Sequence, residues 1–249
     1  MIAILGVAVV AALLVVPIPF EDTFDRETNL FTPSWDLTLQ QESGRITTSS
    51  KRARDGTHSA RFAVFDSDDP NSWGTRADLV SRSMFCEGDE QYIGWSVLFP
   101  SNFLDRLSSN GWLMVAEDGY SGYNAPPIAY YFFGGPDGGK FEILARPDGG
   151  RAGNHILSVD PTYGQWMDVV TRYKFSSDSA EGFIEVWING QSQTFSDGSQ
   201  RYYQNTLEPG ATDCGHLIHN HYRAAGMAES LTIYQDEIKV GDSYSAVAP

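Results

Sequence analysis

The sequence predicts an all-β protein, a sandwich of two antiparallel sheets. Short runs of alternating or β-branched residues recur about every ten residues, separated by clusters of Gly, Pro, Asp and Asn. Helical periodicity is nearly absent. A chain of 249 residues with 41% hydrophobic residues can bury a sizeable core, and no repeat or linker divides residues 21–249. These observations together indicate one β-sandwich domain.

The first 20 residues read as an export signal. An apolar run at 2–16 is followed by two prolines, and the first charge is Glu21. No Lys or Arg precedes the run, so a short membrane anchor and a buried strand stay open as alternatives. A spanning helix needs about 20 apolar residues, so stable membrane insertion is not expected. We expect residues 1–20 to be a signal peptide or short anchor, 21–249 to be the domain, and the protein to be secreted or cell-surface.

The charge balance narrows the possible partners. Lys and Arg number 17 against 32 Asp and Glu, which leaves a formal charge of −15. An acidic protein has no extended basic face for phosphates, so nucleic acid is not an expected partner. An anionic polymer could be held only by a few local arginines. We expect a monomer.

The candidate strands are short and end at turn residues. They lie at 35–40, 59–65, 75–82, 92–99, 111–117, 127–133, 140–146, 155–159, 166–175, 183–190, 216–225 and 231–240. The run 183–190 shows the alternation well, with Ile184, Val186 and Ile188 on one face and a turn dipeptide Asn-Gly at its end. A short helix is predicted at 101–109.

The two cysteines lack the spacing of a metal knuckle or a redox motif. Cys86 and Cys214 are far apart in the chain. In an exported protein they predict a single disulfide, and two free thiols are the alternative.

Several segments together resemble a known family. They are FEDTFD at 20–25, TRADL at 75–79, GWSVLFPSNF at 94–103, GQWMDVVTRYKF at 164–175, FIEVWING at 183–190 and LTIYQDEIKVG at 231–241. Over roughly residues 20–242 the chain resembles the polysaccharide lyases related to heparin lyase I, glucuronan lyase and alginate lyase. The resemblance implies a concanavalin-like β-jelly roll, an acidic polysaccharide as partner, and cleavage of a uronic-acid polymer by β-elimination. It implies no required cofactor.

The chemistry of β-elimination sets the residue types that are needed. A cationic or amide group neutralises the uronate carboxylate, a base removes the C5 proton, and an acid protonates the leaving oxygen. The family carries these groups in an Arg-x-Glu-Leu strand, a Gln-x-His strand and a Lys-x-Gly-x-Tyr strand. Arg76 and Asp78 match the first motif, with Asp for Glu, and share a strand face. The resemblance assigns Arg76 to the carboxylate and Asp78 to substrate binding; an ordinary surface ion pair is the alternative.

The third motif maps onto residues 218–222. Tyr222 takes the position of the catalytic tyrosine, as proton donor and possible base, and Asn220 replaces the glycine as a substrate-binding residue. A period of two places His216, Asn220 and Tyr222 on one face, and on the other it places the three residues His219, His221 and Arg223. A sugar-facing catalytic strand, a wet polar face and a zinc site at the histidines are the open interpretations.

The second motif is missing. Where Gln-x-His is expected, the chain has Ala116, Glu117 and Asp118. Either an imidazole from His155, His216 or His221 assists, or Tyr222 acts alone, or the fold keeps only sugar binding, as a lectin-like module. A pair of carboxylates drawn from Glu117, Asp118 and Glu142 would instead indicate a glycoside hydrolase.

Other groups are expected in the substrate cleft. Lys140 and Arg146 share a face, and Arg223 adds a third cation. Aromatic side chains that could stack on sugar rings are Tyr120, Tyr123, Tyr130 and Tyr131. The segment 118–127 is a candidate lid.

A structural calcium ion is the one metal that the resemblance suggests. Jelly-roll sandwiches often hold such an ion through oxygen ligands, and the candidate ligands are Glu21, Asp22 and Asp236.

Overall fold

A computed structural model of the chain describes most of the domain. The described residues are 20–26, 35–40, 45–68, 74–104, 107, 111–121, 125–136, 138–147, 149–150, 152–210, 212–224 and 230–249. The predicted leader, apart from Phe20, and the side chain of Tyr123 lie outside these residues. No helix among them is long and apolar enough to cross a membrane.

The described chain is almost entirely β-structure. Its strands are β1 (Phe20–Asp22), β2 (Trp35–Gln40), β3 (Ile46–Ser49), β4 (Ser59–Val64), β5 (Gly74–Ser81), β6 (Glu90–Leu98), β7 (Trp112–Tyr120), β8 (Ile128–Phe133), β9 (Lys140–Ala145), β10 (Asn154–Val159), β11 (Trp166–Lys174), β12 (Phe183–Ile188), β13 (Gln191–Ser192), β14 (Tyr202–Tyr203), β15 (His216–Ala224) and β16 (Leu231–Gly241). Each predicted strand is confirmed to within a few residues.

The strands form two antiparallel sheets, as predicted. The nine-stranded sheet runs β13-β12-β11-β6-β16-β4-β3, with β1 added to β16 and β14 to β12. The seven-stranded sheet runs β10-β9-β8-β7-β15-β5-β2. Consecutive strands such as β7, β8, β9 and β10 are neighbours, but other neighbours are distant in the chain, as when β15 inserts between β5 and β7. This layout is a β-jelly roll.

The main core lies between the two sheets. Alternate residues of each strand point into it, for example Ile184 and Val186 of β12, Leu113 of β7 and Ile143 of β9. Trp95 of β6 is fully buried there. The predicted alternation in residues 183–190 is therefore confirmed.

A second, smaller apolar cluster covers the outer face of the seven-stranded sheet. It consists of Met114, Ala129, Tyr131 and Leu144, with Trp112, Phe133 and Tyr222 packed against it. Strands β7 and β8 therefore bury both of their faces, which explains the unbroken apolar runs at 112–116 in β7 and 128–133 in β8. We call this outer surface the cleft face.

A bulge in β7 decides which of its polar residues reach the cleft face. Met114 pairs with Tyr131, but Ala116 pairs with the adjacent Tyr130, so β7 carries an extra residue at this point. The extra residue shifts the alternation by one. As a result Glu117 faces the cleft and Asp118 faces the core.

Three smaller features complete the fold. Cys86 and Cys214 form a disulfide, which confirms that prediction. In the predicted helix at 101–109, the described residues 101–103 form a turn closed by a hydrogen bond from the Phe103 amide to the Pro100 carbonyl (2.9 Å). A 3₁₀ turn follows at Leu104, whose carbonyl accepts a hydrogen bond from the Leu107 amide (3.3 Å). A short helix that the sequence did not predict, α1 (Tyr244–Val247), lies near the end of the chain.

Candidate functional site

The cleft face carries a cavity of about 700 Å³. Its lining is a mixture of aromatic, apolar and charged side chains: Arg76, Trp112, Met114, Glu117, Tyr120, Ala125, Pro126, Tyr131, Phe133, Leu144, Arg146, Ala152, Gly153, His155 and Tyr222. Concave sites that combine an apolar floor with a few convergent polar groups are typical of ligand-binding clefts.

Arg76 and Tyr222 lie next to each other at one end of the cleft. They are direct register partners on β5 and β15. The Arg76 guanidinium lies over the Tyr222 ring, 4.9 Å from its centroid, and forms an ion pair with Asp78. Burial opposes the charge on Arg76, but the Asp78 carboxylate raises its pKa above the ordinary value. The guanidinium is therefore held charged and oriented at the cleft, as carboxylate recognition requires.

Glu117 and Asn220 lie beside this pair. The Asn220 Nδ2 atom donates a hydrogen bond to Glu117 Oε1 (2.7 Å). Asn220 is the register partner of Asp78, and both side chains are fully buried. Burial raises the pKa of Asp78 to about 6, against the opposing effect of Arg76. Burial and the neighbouring Asp78 raise the pKa of Glu117 to about 7.

A second arginine and tyrosine pair lies farther along the cleft. The Arg146 Nη2 atom donates a hydrogen bond to the Tyr131 hydroxyl (2.7 Å), and Nη1 donates to the Pro126 carbonyl (3.2 Å). Burial raises the pKa of Tyr131, and Arg146 opposes this rise. Arg146 therefore lies in the cleft, as the sequence predicted.

His155 supplies the one imidazole among the described residues that line the cleft. Its Nδ1 atom contacts the Glu142 carboxylate, which also accepts a hydrogen bond from Ser158 (3.1 Å). The ring lies 5.4 Å from that of Phe133. A carboxylate that binds one ring nitrogen of a histidine fixes the ring's orientation and leaves the other nitrogen for proton transfer.

The comparisons with known proteins assign the chain to a family. The protein-family model described as "Polysaccharide lyase" matches residues 27–239. The chain belongs to the polysaccharide lyase family. A search of curated proteins finds no significant match.

Solved structures share the fold of this chain at low sequence identity. An endo-β-1,4-glucuronan lyase from Trichoderma reesei is 16% identical, with a TM-score of 0.61 over 86% of this chain and 94% of its own. An alginate lyase from Pseudomonas aeruginosa is 15% identical, with a TM-score of 0.52 over 81% and 87%. The catalytic domain of a GH131 β-glucanase from Podospora anserina is 10% identical, with a TM-score of 0.60 over 92% and 93%.

Asp118 and Tyr130, both predicted to bind substrate, lie in the core instead. Asp118 accepts hydrogen bonds from the hydroxyls of Tyr130 (2.9 Å) and Tyr173 (2.8 Å) between the sheets. Burial raises the pKa of Asp118 to about 6 and that of Tyr130 well above its ordinary value. The bulge in β7 is the reason that Asp118 turns inward. Because β7 extends to Tyr120, Asp118 and Tyr120 belong to a strand and not to the predicted lid at 118–127, of which residues 122–124 lie outside the described chain.

The structure also corrects the predictions that His221 and Arg223 lie in the cleft. Both lie on the core face of β15, where His221 is fully buried and Arg223 is 1% exposed. Burial and the charge of Arg223 lower the pKa of His221 to about 3. The Arg223 Nη2 atom donates a hydrogen bond to the Phe65 carbonyl (2.8 Å). Neither side chain reaches the cleft face, where Asn220 and Tyr222 lie as predicted.

The histidines of β15 do not converge on one point in the described structure. His219 binds Gln235 and packs against Trp95 in the core, with ring centroids 5.1 Å apart. Within the described part of the chain, no group of three His, Cys, Asp or Glu side chains is placed to hold a metal.

Two further predicted residues lie outside the cleft lining. His216 donates from Nδ1 to the Ser81 carbonyl (2.7 Å) at the beginning of β15. Lys140 forms an exposed ion pair with Asp160 at the beginning of β9. Local partners therefore hold both side chains away from the cavity.

The three predicted calcium ligands do not converge. The Asp22 carboxylate already accepts hydrogen bonds from the Phe24 amide (2.9 Å) and the Trp35 indole (2.7 Å). Glu21 points to the opposite side of β1, next to Lys239. The Asp236 carboxylate accepts hydrogen bonds from backbone amides. These residues do not form a ligand set, and calcium binding stays a prediction.

Sequence reasoning missed the apolar floor of the cleft. Trp112, Met114, Phe133 and Leu144 lie on the cleft face, and the Trp112 ring contacts Tyr222 edge to face at 5.3 Å. The signal that could have identified them is the unbroken apolar run at 112–116 of β7 and at 128–133 of β8, since strands with one solvent-exposed face alternate.

Proposed function

We propose that this protein cleaves a uronic-acid polysaccharide by β-elimination. The observation that carries the proposal is the contact between Arg76 and Tyr222 in the cleft of a polysaccharide lyase. A guanidinium can bind a sugar carboxylate through two parallel hydrogen bonds. An adjacent phenol can exchange a proton with the same sugar unit.

The proposed reaction uses groups that the cleft brings together. Arg76, with the Asn220 amide nearby, draws charge from the carboxylate and makes the C5 proton acidic. A base removes this proton, the electron pair of the C–H bond becomes the C4–C5 double bond, and the C4–O bond breaks. The Tyr222 hydroxyl protonates the leaving oxygen. Tyr222 in its ionised form serves as this base and then returns the proton to the leaving oxygen.

His155 lies too far from Tyr222 to act on the same sugar unit, and its part in the proposal is to bind the chain farther along the cleft. It lies on β10 at the edge of the sheet, four strands from β15, which is roughly 19 Å at about 4.8 Å per strand. The contact with Glu142 fixes the orientation of its ring. The apolar floor between His155 and Tyr222 suits the flat faces of sugar rings.

We also propose that the protein is exported. The Cys86–Cys214 disulfide supports this, because disulfides persist in oxidising compartments and are rare in the cytosol. Extracellular polysaccharide would then be accessible to the enzyme.

The decisive experiment measures the unsaturated uronyl product. Residues 21–249 are incubated with alginate, glucuronan, heparin and hyaluronan, and ultraviolet absorbance of the new double bond is followed. We expect turnover on at least one polymer and a loss of about 100-fold or more in Tyr222→Phe, the usual size of a lost general acid. Binding of the same polymer to Tyr222→Phe should persist.

The control is Tyr203→Phe, which removes an exposed hydroxyl from the nine-stranded sheet and should retain full turnover. Polymer retention with no unsaturated product in the parent protein would contradict the lyase proposal and indicate a binding module.

A glycoside hydrolase is the second candidate. Glu117 is a buried cleft carboxyl whose pKa is raised to about 7 by burial and Asp78, which suits a general acid. The fold shared with a GH131 β-glucanase is compatible with this chemistry. Hydrolysis would release new reducing ends without the absorbing double bond, so the same incubations separate the two reactions.

A further inference from the structure

Glu117 occupies an unusual position for a carboxylate. It lies at the centre of the seven-stranded sheet, on β7, and is only 3% exposed although it lines the cleft. Its Oε1 atom accepts the hydrogen bond from Asn220 (2.7 Å). A carboxylate in such a position needs a cation of its own, because a buried charge without one is costly.

The nearest guanidinium is already engaged by another carboxylate. Arg76 forms its ion pair with Asp78, which is fully buried. Arg146 is directed to the Tyr131 hydroxyl and the Pro126 carbonyl. The charged and titratable groups that face Glu117 are Asp78 and Arg76 from β5, Tyr222 from β15, Tyr131 from β8, Arg146 beyond β9, and Tyr120 from its own strand.

The atoms around Glu117 are short of hydrogen-bond donors. Among the described residues, Asp78 Oδ1 and Asn220 Oδ1 are buried and accept no hydrogen bond. An ionised Glu117 would add further acceptors and a second negative charge to this cluster. A protonated Glu117 instead adds an O–H donor. Burial and the Asp78 charge raise the pKa of Glu117 to about 7, in agreement with this reasoning.

We propose that Glu117 acts as an uncharged carboxylic acid that donates its O–H to the carboxylate of the sugar bound beside Arg76. This role rests on the proposed function, since it requires a substrate that carries carboxylates. Arg76 then supplies the charge and Glu117 a neutral donor, so the cleft recognises the carboxylate from two sides. An ionised Glu117 would repel the same group.

The proposal makes binding depend on pH. Only the protonated form binds, so the apparent dissociation constant equals the intrinsic one divided by the protonated fraction. With a pKa of about 7, that fraction falls from about nine-tenths at pH 6 to about one-tenth at pH 8. Binding should weaken about tenfold across this range, while uronate carboxylates stay ionised throughout.

The test measures binding without turnover. Tyr222→Phe is titrated with oligouronates prepared from alginate and glucuronan at pH 6 and pH 8, at constant ionic strength. We expect the affinity to fall about tenfold. In the same background Glu117→Gln should change by about twofold at most, because the Asp78 carboxyl beside Arg76, with a pKa of about 6, is about half protonated at pH 6. A glutamine keeps the acceptor for Asn220 and offers an N–H donor that does not titrate. Carboxyl-reduced oligosaccharides should show no pH dependence with either protein.

Asp118→Asn is the matched control. Asp118 is the next residue on β7, and burial raises its pKa to about 6, but it faces the core. This variant should keep the full tenfold fall in affinity. A tenfold fall that persists in Glu117→Gln, or that is lost in Asp118→Asn, would overturn the proposal, as would an absence of oligouronate binding.

A spectroscopic measurement tests the protonation state itself. The infrared difference between the parent protein and Glu117→Gln at pH 6 should contain the band of a protonated carboxyl, and a carboxylate band instead would contradict the proposal. Because neither measurement uses turnover, a protein that binds oligouronates with this pH dependence but forms no unsaturated product would refute the lyase function and leave the role of Glu117 intact.

Discussion

Arginine performs a task in this cleft that lysine could not. Arg76 contacts the Asp78 carboxylate along one edge and the Tyr222 ring with its face. Its remaining N–H groups can still reach a substrate carboxylate, because the guanidinium has five donors in a rigid plane. A lysine ammonium has the charge but neither the flat face nor the fork of donors.

Replacement of Arg76 by lysine tests this argument. We expect Arg76→Lys to lower kcat/KM by about tenfold or more, since two-point carboxylate recognition is lost while the charge is kept. Steady-state rates on the polymer that the parent protein cleaves measure the effect. Arg172→Lys, at a pair with Glu90 on the nine-stranded sheet, is the control and should have normal kinetics. Equal kinetics of Arg76→Lys and the parent would show that only charge is needed.

Strand alternation decided which site residues could be predicted from the sequence. Arg76, Asp78, Asn220 and Tyr222 were found because a period of two and the family motif agree on their shared face. The same period places His221 opposite Tyr222, so its catalytic assignment conflicted with the pattern, and the structure buries it. A histidine's chemistry alone does not reveal its side of the sheet.

At the scale of elements, the bulge in β7 could not be read from the sequence. It arises from the pairing of β7 with both β8 and β15, where register shifts occur on each side. A strict alternation from Met114 would have placed Asp118 in the cleft and Glu117 in the core. The strands themselves were predictable because their turn residues and apolar runs are local signals.

The core face of β15 carries two neutral histidines that should make the fold sensitive to acid. Burial lowers the pKa of His219 to about 4 and that of His221 to about 3, from an ordinary value near 6.5. Between these values the unfolded chain binds protons that the folded chain does not. Their contribution to stability is therefore complete above pH 6.5 and is lost as the pH falls toward 4.

His221→Leu should remove part of this sensitivity. Both ring nitrogens of His221 are buried and have no hydrogen-bond partner among the described residues, so leucine leaves none unsatisfied. We expect the free energy of unfolding to fall less between pH 7 and pH 4.5 than in the parent, by at least about 1 kcal/mol. Urea unfolding at both pH values measures the difference. Carboxyls with raised pKa values, such as Glu117, affect both proteins equally, so they cancel. If the unfolding free energies of His221→Leu and the parent fall equally, then His221 is not a source of the acid sensitivity.

At the scale of the whole molecule, the same strands line the cleft with one face and the core with the other. Met114 and Glu117 face the cleft, while Leu113, Val115 and Asp118 of the same strand face the core. The core side is held by packing and by the two tyrosine hydroxyls that bind Asp118. Because one rigid strand supports both sides, the site residues keep their spacing without a loop to position them.

The disulfide joins the two sheets at one end of this sandwich. Cys86 precedes β6 of the nine-stranded sheet, Cys214 precedes β15 of the seven-stranded sheet, and 128 residues separate them. A link across so long a segment restricts the unfolded chain strongly. Neither cysteine lines the cleft.

Removal of this link should lower stability and leave the chemistry intact. We expect the double variant Cys86→Ser and Cys214→Ser to lose about 2–5 kcal/mol of unfolding free energy, the usual cost of a native disulfide. Urea unfolding of the oxidised parent, the reduced parent and the double variant measures the loss, and the last two should agree. At a temperature where the double variant is still folded, its rate of cleavage of the polymer should equal that of the parent. A lower rate there would mean that the bond orients β15, and with it Tyr222, in the native cleft.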